Sequence, residues 1–247
     1  MYQTNEINKS IFICSGGRCG THWVRPILAQ VLDLIAGMDL KGYNPNKIPF
    51  KTEPDIIWRI KMKEKREFGG NIYSGHMSLT SLLPIVNLVN IVILIRDPRD
   101  MCISAAYYQL AYNQINQINQ GEFEQNLKAL LFQGGPNPDF NKSYINSRHR
   151  IPHILLKYED MIKDDFGSIS KILNSFNYNY EEEKLKDVLN KNSFKKLSGG
   201  REVGEEDNSA FYRKGIIGDW KNYLTEEMNQ KFCEEHHNLM QVWGYEK

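Results

Sequence analysis

A glycine-rich segment near the amino terminus has the composition of an anion-binding loop. Residues 15–21, Ser-Gly-Gly-Arg-Cys-Gly-Thr, contain three glycines and the positively charged Arg18, and they lie between an apolar run and an amphipathic stretch. Glycine lets the backbone come close to a phosphate, and the free N–H groups at the start of a helix attract anions. The segment therefore predicts a cradle for a phosphate group.

This loop differs from the signature of ATP- and GTP-binding P-loops, G-x-x-x-x-G-K-[ST]. If Gly20 is the second glycine of that signature, Ser15 stands where the first should be and Thr21 stands in place of the lysine. The positive charge lies earlier, at Arg18. The pattern suits a single 5′-phosphate better than a triphosphate with Mg²⁺. A nucleotide or small-molecule kinase remains the alternative, as does a glycine-rich turn without a ligand.

A second candidate anion site follows the most apolar run of the chain, residues 91–95. Two arginines and two aspartates occupy positions 96–100, and Ser104 lies eight residues after Arg96. A guanidinium and a hydroxyl group one to two helical turns later can both donate hydrogen bonds to one anion. The equally weighted alternative is a surface turn in which these arginines and aspartates cap one another.

Three apolar runs, each followed by a turn and a helical pattern, predict a parallel β-sheet. The predicted strands cover residues 11–14, 91–95 and 154–158, and the helix after the second lies near residues 101–112. Such repeats are typical of an α/β fold in which helices cover both faces of the sheet, with ligands at the carboxyl ends of the strands. Polar residues that follow different strands can therefore converge. The helical patterns after the first and third strands consist of Val24, Ile27, Leu28, Val31 and Ile35, and of Ile169, Ile172, Leu173 and Phe176.

One more helix is predicted after Thr225, beginning with two glutamates that suit the positive end of a helix dipole. Phe232, His236, Leu239, Met240 and Trp243 lie along one face of it. We interpret His236 and the neighbouring His237 as packing and surface residues rather than ligands.

The composition predicts a single globular domain over residues 1–247. Hydrophobic residues make up 41% of the 247 residues, charged residues make up 25%, and the formal net charge is +1. These values are ordinary for a globular protein and give no support to generic binding of nucleic acid or anionic membranes. The run at residues 91–95 is too short to span a bilayer, and residues 1–10 lack the apolar core of a signal peptide.

The cysteines argue against a scaffold held by disulfides or zinc. Cys14, Cys19, Cys102 and Cys233 are scattered, with no Cys-x-x-Cys pair and no Cys/His cluster. We therefore expect a reducing, cytoplasmic setting and no metal. Oligomeric state is left open by the sequence.

Five motifs in the same order make the chain resemble the sulfotransferases that use PAPS (3′-phosphoadenosine 5′-phosphosulfate), most closely the cytosolic type. Residues 17–23, Gly-Arg-Cys-Gly-Thr-His-Trp, resemble the family's P-K-S-G-T-T-W motif for the 5′-phosphosulfate. Arg96 and Ser104 resemble its 3′-phosphate motif, an arginine followed eight residues later by serine. The remaining matches are Tyr-Glu-Asp-Met at 158–161, Ser-Phe-Lys at 193–195 and Arg-Lys-Gly-x-x-Gly-Asp-Trp-Lys at 213–221, so that the resemblance spans about residues 11–225.

The resemblance implies a P-loop-like three-layer α/β/α fold and transfer of a sulfuryl group from PAPS to a hydroxyl or amine of a small-molecule acceptor. His76, within Tyr-Ser-Gly-His-Met at 73–77, is then the general base, and Arg18 stabilises the departing phosphate of PAP, the desulfated product. A non-catalytic nucleotide-binding protein of the same fold would lack this base. The implied PAPS-binding residues are Arg18, Cys19, Gly20, Thr21, His22, Trp23, Arg96, Ser104, Tyr158, Ser193, Phe194, Arg213, Lys214 and Gly215.

The first motif departs from the family pattern at two positions, because Arg18 and Cys19 replace the usual lysine and serine. Arginine retains the positive charge and the hydrogen-bond donors but cannot shuttle a proton. The departure leaves open the subfamily to which the chain belongs.

The acceptor pocket is expected in the segments 41–58 and 107–148 and in the acidic stretch before Phe211. Residues 199–209, which contain two adjacent glycines and several acids, are predicted to form a mobile lid over the donor. The candidate aromatic residues for a phenol, lipid or sterol-like acceptor are Tyr43, Phe50, Trp58, Phe132 and Phe140, with the protein core as their alternative position.

Overall fold

Five parallel strands form one sheet in the part of the chain that the structure describes. The structure, a computed structural model, describes residues 9–36, 53–66, 69–112, 120–133 and 137–246. The strand order is β2-β3-β1-β4-β5, and the strands are β1 (Ser10–Ser15), β2 (Ile35–Ala36), β3 (Asn71–Gly75), β4 (Val89–Ile95) and β5 (Ile154–Lys157). The three predicted strands are therefore confirmed as β1, β4 and β5.

The central strands are apolar because helices cover them on both faces. Every residue of β1 is buried, as are six of the seven residues of β4, as expected for parallel strands inside an α/β fold. The predicted three-layer α/β/α fold with a central parallel sheet is confirmed. The helices are α1 (Thr21–Val31), α2 (Glu53–Arg66), α3 (Pro98–Tyr112), α4 (Gln120–Phe132), α5 (Pro138–Ser147), α6 (Tyr158–Lys163), α7 (Asp165–Ser175), α8 (Glu182–Lys191), α9 (Phe194–Leu197), α10 (Glu226–Glu235) and α11 (His237–Trp243). Short 3₁₀ helices cover Leu79–Ile85, Arg148–Arg150 and Asp219–Asn222.

Two boundaries differ from those predicted. The helical pattern after β1 does not continue to Ile35, because Asp33 adopts the left-handed conformation (φ = 51°) and ends the turn, so that Ile35 lies in β2. After β5, Tyr158 is the first residue of α6 rather than the last residue of a strand.

The carboxyl-terminal helix is broken at His236, whereas the sequence predicted one continuous helix. His236 leaves the helical conformation (φ = −111°, ψ = 22°), and α11 begins at the next residue. The imidazole of His236 packs 4.3 Å from the ring of Phe232, and Nε2 lies 2.7 Å from the carbonyl oxygen of Leu131. The interpretation of His236 as a packing residue is confirmed.

The apolar core consists of two clusters that meet at α3. Met101 belongs to the large cluster around the sheet, while the next residue, Cys102, belongs to a smaller cluster with Phe123 and Phe232. Tyr245 packs against both clusters. Helix α3 is thus fixed on two sides, which holds the residues of its first turns at the end of β4.

Candidate active site

The carboxyl ends of four strands bring the predicted site residues to one edge of the sheet. Cys14 pairs in register with Gly75, and Ile95 pairs with Lys157. His76, Arg96 and Tyr158 each follow directly after one of these strand ends, beside the glycine-rich loop that follows β1. The predicted convergence of residues distant in sequence is therefore present.

These residues line one cavity of about 380 Å³. The cavity lies at the point where the chain crosses from one side of β1 to the other, the usual ligand position in open α/β sheets. The predicted residues that line it are Arg18, Gly20, Thr21, His22, Trp23, His76, Arg96, Ser104, Tyr158, Phe194, Arg213, Lys214 and Gly215.

Two predicted residues do not line the cavity. The thiol of Cys19 is 2% exposed and lies 3.6 Å from Met101 Sδ, and burial raises the pKa of this thiol to about 12. The Cys19 side chain is therefore a core residue, and only its backbone can contribute to an anion site. Ser193 occupies the N-cap position of α9, and the next residue, Phe194, lines the cavity in its place.

The loop after β1 has the backbone conformation of a tight anion cradle. Gly17, Arg18 and Gly20 have φ values of 89°, 56° and 91°, in the left-handed region that non-glycine residues seldom adopt. A Cβ atom at Gly20 would also lie 3.1 Å from Tyr158 Cδ2. Helix α1 begins directly after Gly20, so the positive end of its dipole is presented beside the cavity.

Arg18 is held in place by oxygens and aromatic rings. Its Nε donates to Ser104 Oγ at 3.0 Å, and Nη2 donates to the carbonyl oxygen of Phe211 at 3.3 Å. The rings of Tyr108 and Phe211 lie 4.6 and 5.0 Å from the guanidinium carbon. Burial lowers the pKa of Arg18 to about 10, and the positive charges of Arg96 and Arg213 act in the same direction. An anion bound among these cations would relieve that repulsion.

Arg96 connects the loop to the carboxyl-terminal motif. It is 8% exposed, and its guanidinium donates to the carbonyl oxygens of Arg18 (3.4 Å) and Ile216 (3.2 Å). The ring of Tyr158 lies 4.3 Å from its guanidinium carbon, and Asp100 forms an ion pair with it at 3.7 Å. Its Nε is buried with no hydrogen-bond partner in the described parts of the chain. Arg96 is thus a positioned cation with a donor still available.

The alternative of a surface turn is not realised, because Asp97, Arg99 and Asp100 are buried, but the expected interactions among the charged residues of this turn are present outside the cavity lining. Asp97 and Arg99 form an ion pair at 2.7 Å, and Arg99 stacks 3.9 Å from the ring of Trp220. Asp100 accepts hydrogen bonds from the backbone N–H groups of Gly218 and Trp220, each at 2.8 Å. The turn after β4 therefore fixes the position of the carboxyl-terminal motif as well as supplying Arg96.

Arg213 and Lys214 are paired with two carboxylates in this structure. Arg213 donates to both Glu206 and Asp219, and Lys214 donates to Asp219 at 2.9 Å and lies 3.7 Å from Glu206. Although burial acts to raise it, hydrogen bonds from Arg213 and Lys214 hold the pKa of Asp219 below its ordinary value. Glu206 belongs to the segment predicted to be a lid, so this segment directly contacts Arg213 and Lys214, which are predicted to bind the nucleotide.

His76 opens into the cavity on one side and contacts protein on the other. Its Nδ1 lies 3.0 Å from Ser15 Oγ and 3.2 Å from the Ser15 carbonyl oxygen, and Ser15 Oγ lies 2.9 Å from Thr21 Oγ1. Burial lowers the pKa of His76, and the positive charge of Arg18 adds to this effect. A neutral imidazole with Nδ1 engaged leaves Nε2 as the atom that can accept a proton. The role of Ser15 in holding His76 was not predicted from the sequence.

Trp23, Tyr158 and Phe194 contribute aromatic rings to the wall of the cavity. Trp23 contacts Tyr158 edge to face, with ring centroids 6.1 Å apart. Phe194 lies against Gly215, where a Cβ atom would come within 2.6 Å of Phe194 Cδ2 and where φ is 71°. Gly215 is therefore required both for its conformation and for the close approach of the Phe194 ring.

Three of the five aromatic residues predicted for the acceptor pocket are in the described ranges, and none of these three lines the cavity. Phe140 is completely buried in the core, Phe132 packs against the smaller core cluster, and Trp58 is 61% exposed on α2. For Phe140 and Phe132 the core alternative is therefore realised, whereas Trp58 lies neither in the cavity nor in the core. Tyr43 and Phe50, with residues 41–52, lie outside the described residues. The stretch at residues 113–119 also lies outside them.

Tyr108 and Phe211, together with His22, line the cavity instead. The ring centroids of Phe211 lie 4.8 Å from that of His22 and 6.1 Å from that of Tyr108. Tyr108 is four residues after Ser104 and hence on the same face of α3, which is the sequence signal that could have identified it.

The segment 199–212 is connected to α1 by an unusual hydrogen bond. Pro26 lies inside α1 and has no N–H to donate to the carbonyl oxygen of His22, four residues earlier. Tyr212 OH donates to that oxygen instead, at 3.3 Å. Arg201 donates to the carbonyl oxygens of Tyr212 and of Arg213 (2.7 Å), which shapes the segment. The mobility of this segment stays a prediction.

Neither a metal-binding cluster nor a membrane-spanning helix is present in the described ranges. Among these residues, no group of three or more His, Cys, Asp or Glu side chains could hold a metal ion. No helix in the same ranges has the length and apolar character needed to cross a membrane.

The amino-acid sequence is similar to those of known enzymes over almost its whole length. Residues 8–244 match the family described as the sulfotransferase domain. Mouse sulfotransferase 1 family member D1 is 30% identical, with 94% of this chain and 83% of the relative covered. Cytosolic sulfotransferase 17 of Arabidopsis thaliana is 26% identical, with 88% of this chain and 70% of the relative covered.

The fold is similar to those of solved sulfotransferase structures. A mouse sulfotransferase complexed with PAP superimposes with a TM-score of 0.67 at 19% identity, covering 95% of this chain and 86% of that one. Retinol dehydratase, in complex with androsterone and the inactive cofactor PAP, superimposes with a TM-score of 0.63 at 23% identity, covering 94% and 80%.

Proposed function

This chain belongs to the family of PAPS-dependent sulfotransferases, and we propose that it transfers the sulfuryl group of PAPS to a hydroxyl or amine of a small-molecule acceptor. One observation carries the proposal: a single cavity combines a glycine-rich loop, arginines from three separate segments and a histidine. The two phosphate-bearing ends of PAPS need two cationic regions, and an acceptor needs a base. Each of these groups is present at the same edge of the sheet.

The 5′-phosphosulfate end is assigned to the loop after β1. Its backbone N–H groups lie at the amino terminus of α1, where the helix dipole favours negative charge. Arg18 extends over the same loop and is held by Ser104 and Phe211. Because its guanidinium is fixed, it can stabilise charge on the departing phosphate without rearranging during the reaction.

The 3′-phosphate end is assigned to Arg96, Ser104, Arg213 and Lys214. Arg96, Arg213 and Lys214 supply cationic donors in the lining of the same cavity, and Ser104 adds a hydroxyl group. Trp23 and Phe194 provide aromatic faces for the adenine ring between the two ends. We propose that these side chains and the helix dipole supply the positive field of the reaction and that no metal takes part.

The proposed chemistry is an in-line displacement at sulfur. The acceptor oxygen or nitrogen forms a new bond to sulfur while the bond from sulfur to the bridging oxygen breaks, and its electron pair stays on the 5′-phosphate of PAP. The proton of the acceptor moves to Nε2 of His76, which the lowered pKa of this residue keeps unprotonated near pH 7. No covalent intermediate with the protein is needed.

The acceptor is proposed to be a small molecule with a flat ring, such as a phenol or a sterol-like alcohol. Tyr108, Phe211 and His22 give three ring surfaces to the cavity that His76 also lines. The androsterone and retinol bound by the structural neighbour retinol dehydratase are apolar alcohols, which supports this class. A screen of hydroxyl and amine compounds with PAPS, read by the mass gain of a sulfonate group, identifies the acceptor.

Titration calorimetry with PAP and with ATP plus Mg²⁺ tests the choice of donor. We expect tight binding of PAP and no binding of ATP, because the loop lacks the lysine and the serine or threonine that hold a triphosphate and its Mg²⁺. Binding of ATP with Mg²⁺ in preference to PAP would support the kinase alternative and reject the sulfotransferase proposal.

A further inference from the structure

Two buried hydroxyl groups connect the imidazole of His76 with the phosphate loop. Ser15 Oγ lies 3.0 Å from His76 Nδ1 on one side and 2.9 Å from Thr21 Oγ1 on the other. Ser15 is fully buried at the end of β1, whereas Thr21, the first residue of α1, lines the cavity. The three side chains form a continuous hydrogen-bonded chain, which we call the hydroxyl relay, from the donor loop to the proposed base.

The hydroxyl relay can have two polarities, and only one of them leaves His76 able to accept a proton. When Ser15 donates to Thr21 Oγ1, its oxygen accepts from Nδ1–H, and the lone pair of the imidazole is on Nε2. When Thr21 donates to Ser15, the Ser15 hydroxyl donates to Nδ1 and the imidazole proton is on Nε2. The second arrangement blocks the atom that faces the acceptor.

Backbone groups beside the relay favour the first polarity without imposing it. The Ser15 carbonyl oxygen, which can only accept a hydrogen bond, lies 3.2 Å from His76 Nδ1. The N–H of Gly17 donates to Ser15 Oγ at 3.3 Å, which leaves one further lone pair for Nδ1–H. Both contacts are at the long end of hydrogen-bond geometry, so a further interaction can change the balance.

We propose, on the basis of the function proposed above, that binding of the 5′-phosphate of the donor sets the polarity of the hydroxyl relay. A phosphate oxygen only accepts hydrogen bonds, so the Thr21 hydroxyl donates its proton to the phosphate and offers its oxygen to Ser15. Ser15 then accepts from Nδ1–H, and the lone pair is placed on Nε2. Ser15 and Thr21 are positioning residues that prepare His76 as a base when the donor is bound.

The tautomer of His76 can be measured directly and without an acceptor. Long-range ¹H–¹⁵N spectra of the labelled full-length protein distinguish a protonated from an unprotonated imidazole nitrogen, and at about pH 8 the imidazole is neutral. The signals of His76, one of six histidines, are assigned by their absence in His76→Asn. We expect PAP to change the tautomer ratio about tenfold toward Nδ1–H, the effect of roughly one net hydrogen bond.

Matched variants separate the relay from general effects on the site. Ser15→Ala and Thr21→Val remove one hydroxyl each and should abolish the PAP-induced change, whereas Ser15→Thr and Thr21→Ser retain it. Ser10→Ala removes a buried hydroxyl at the other end of β1, where Ser10 Oγ donates to Glu64 at 2.8 Å, and should leave the change intact. Ser15→Ala is the more informative variant because the Thr21 hydroxyl stays available to the phosphate.

Calorimetry on the same samples makes the outcomes distinguishable. If the wild-type protein does not bind PAP, the proposed function and the relay both fail. If PAP binds but the His76 tautomer ratio does not change, or if the change persists in both Ser15→Ala and Thr21→Val, only the relay is overturned. Circular dichroism of each variant shows whether it is folded. If Ser15→Ala does not fold, Thr21→Val alone tests whether the relay carries the PAP-induced change.

Discussion

At the scale of single residues, the site depends on how each cation and His76 are held. Arg18 has the position of a lysine in the family motif, yet its guanidinium is fixed between two rings and accepts no proton. It therefore acts as a positioned charge, and proton transfer is left to His76. The sequence predicted both residues from their motifs.

Replacing His76 tests its role as the base. His76→Asn should lower turnover by about 10²–10⁴-fold, the usual contribution of a general base, because no other group then accepts the proton of the acceptor. PAP affinity, measured by calorimetry, should stay within about threefold of the wild-type value because His76 contacts the acceptor side. A variant that keeps more than about a tenth of the activity would show that another group is the base.

The pH dependence of the wild-type enzyme follows from the environment of His76. A base works only when it is unprotonated, and burial lowers the pKa of His76, so activity should persist to a lower pH than an exposed histidine would allow. The acid limb of kcat/KM should therefore have its midpoint below about pH 6.5. A midpoint above that value would contradict the environment described for His76.

Residues whose role depends on a neighbour could not be predicted from the sequence. Ser15 becomes important because β1 and β3 are adjacent and His76 follows the end of β3. Phe140 and Phe211 are both phenylalanines in or beside segments expected to form the acceptor pocket. Phe140 is completely buried in the core, whereas Phe211 lines the cavity. Only the spatial arrangement decides between these two fates of an aromatic side chain.

At the scale of elements, the loops that follow the strands make the site. Continuous apolar runs identified β1 and β4, because strands buried on both faces read as uninterrupted hydrophobic segments. The apolar run at β5 identified that strand as well, although most of its residues are only partly buried. The pattern did not identify β2, which has two residues, or β3, whose sequence Asn-Ile-Tyr-Ser-Gly mixes polar and apolar side chains. The break at His236 was also not predicted, because the pattern of apolar residues continues from α10 to α11.

Gly215 offers a test of the wall formed by the carboxyl-terminal motif. Gly215→Ala should weaken PAP binding at least tenfold, because a Cβ atom would lie 2.6 Å from Phe194 and displace its ring. Gly199→Ala is the matched control, because Gly199 also has a positive φ (79°) but has no atom within 4 Å of the added Cβ. Calorimetry should show at most a threefold loss for the control; equal losses would assign the effect to backbone strain alone.

At the scale of the whole molecule, the site joins segments from both ends of the chain. The loop after β1, the turn after β4 and the carboxyl-terminal motif contact one another through Arg96 and Asp100. The motifs predicted this assembly. The loop and the turn follow the ends of β1 and β4, and the resemblance implies that the carboxyl-terminal motif binds the same nucleotide. The pairing of Arg213 with Glu206 was not predicted, because it depends on the path of the segment 199–212.

Glu206 should compete with the nucleotide for the cations of the carboxyl-terminal motif. It accepts a hydrogen bond from Arg213 and lies 3.7 Å from Lys214, both assigned to the 3′-phosphate. Glu206→Gln removes the competing charge and should tighten PAP binding about three- to tenfold, as measured by calorimetry. Glu183→Gln, which removes the same charge from the exposed surface of α8, should have no effect; weaker binding in Glu206→Gln would show instead that Glu206 orders the site.

A crystal structure of the protein with PAP would locate both phosphates of the nucleotide. We expect the 5′-phosphate on the backbone N–H groups of the loop beside Arg18, and the 3′-phosphate on Arg96, Ser104 and Arg213. We also expect the adenine ring between Trp23 and Phe194. A nucleotide bound outside the cavity, or one whose two phosphates occupied the opposite positions, would contradict the proposed donor site.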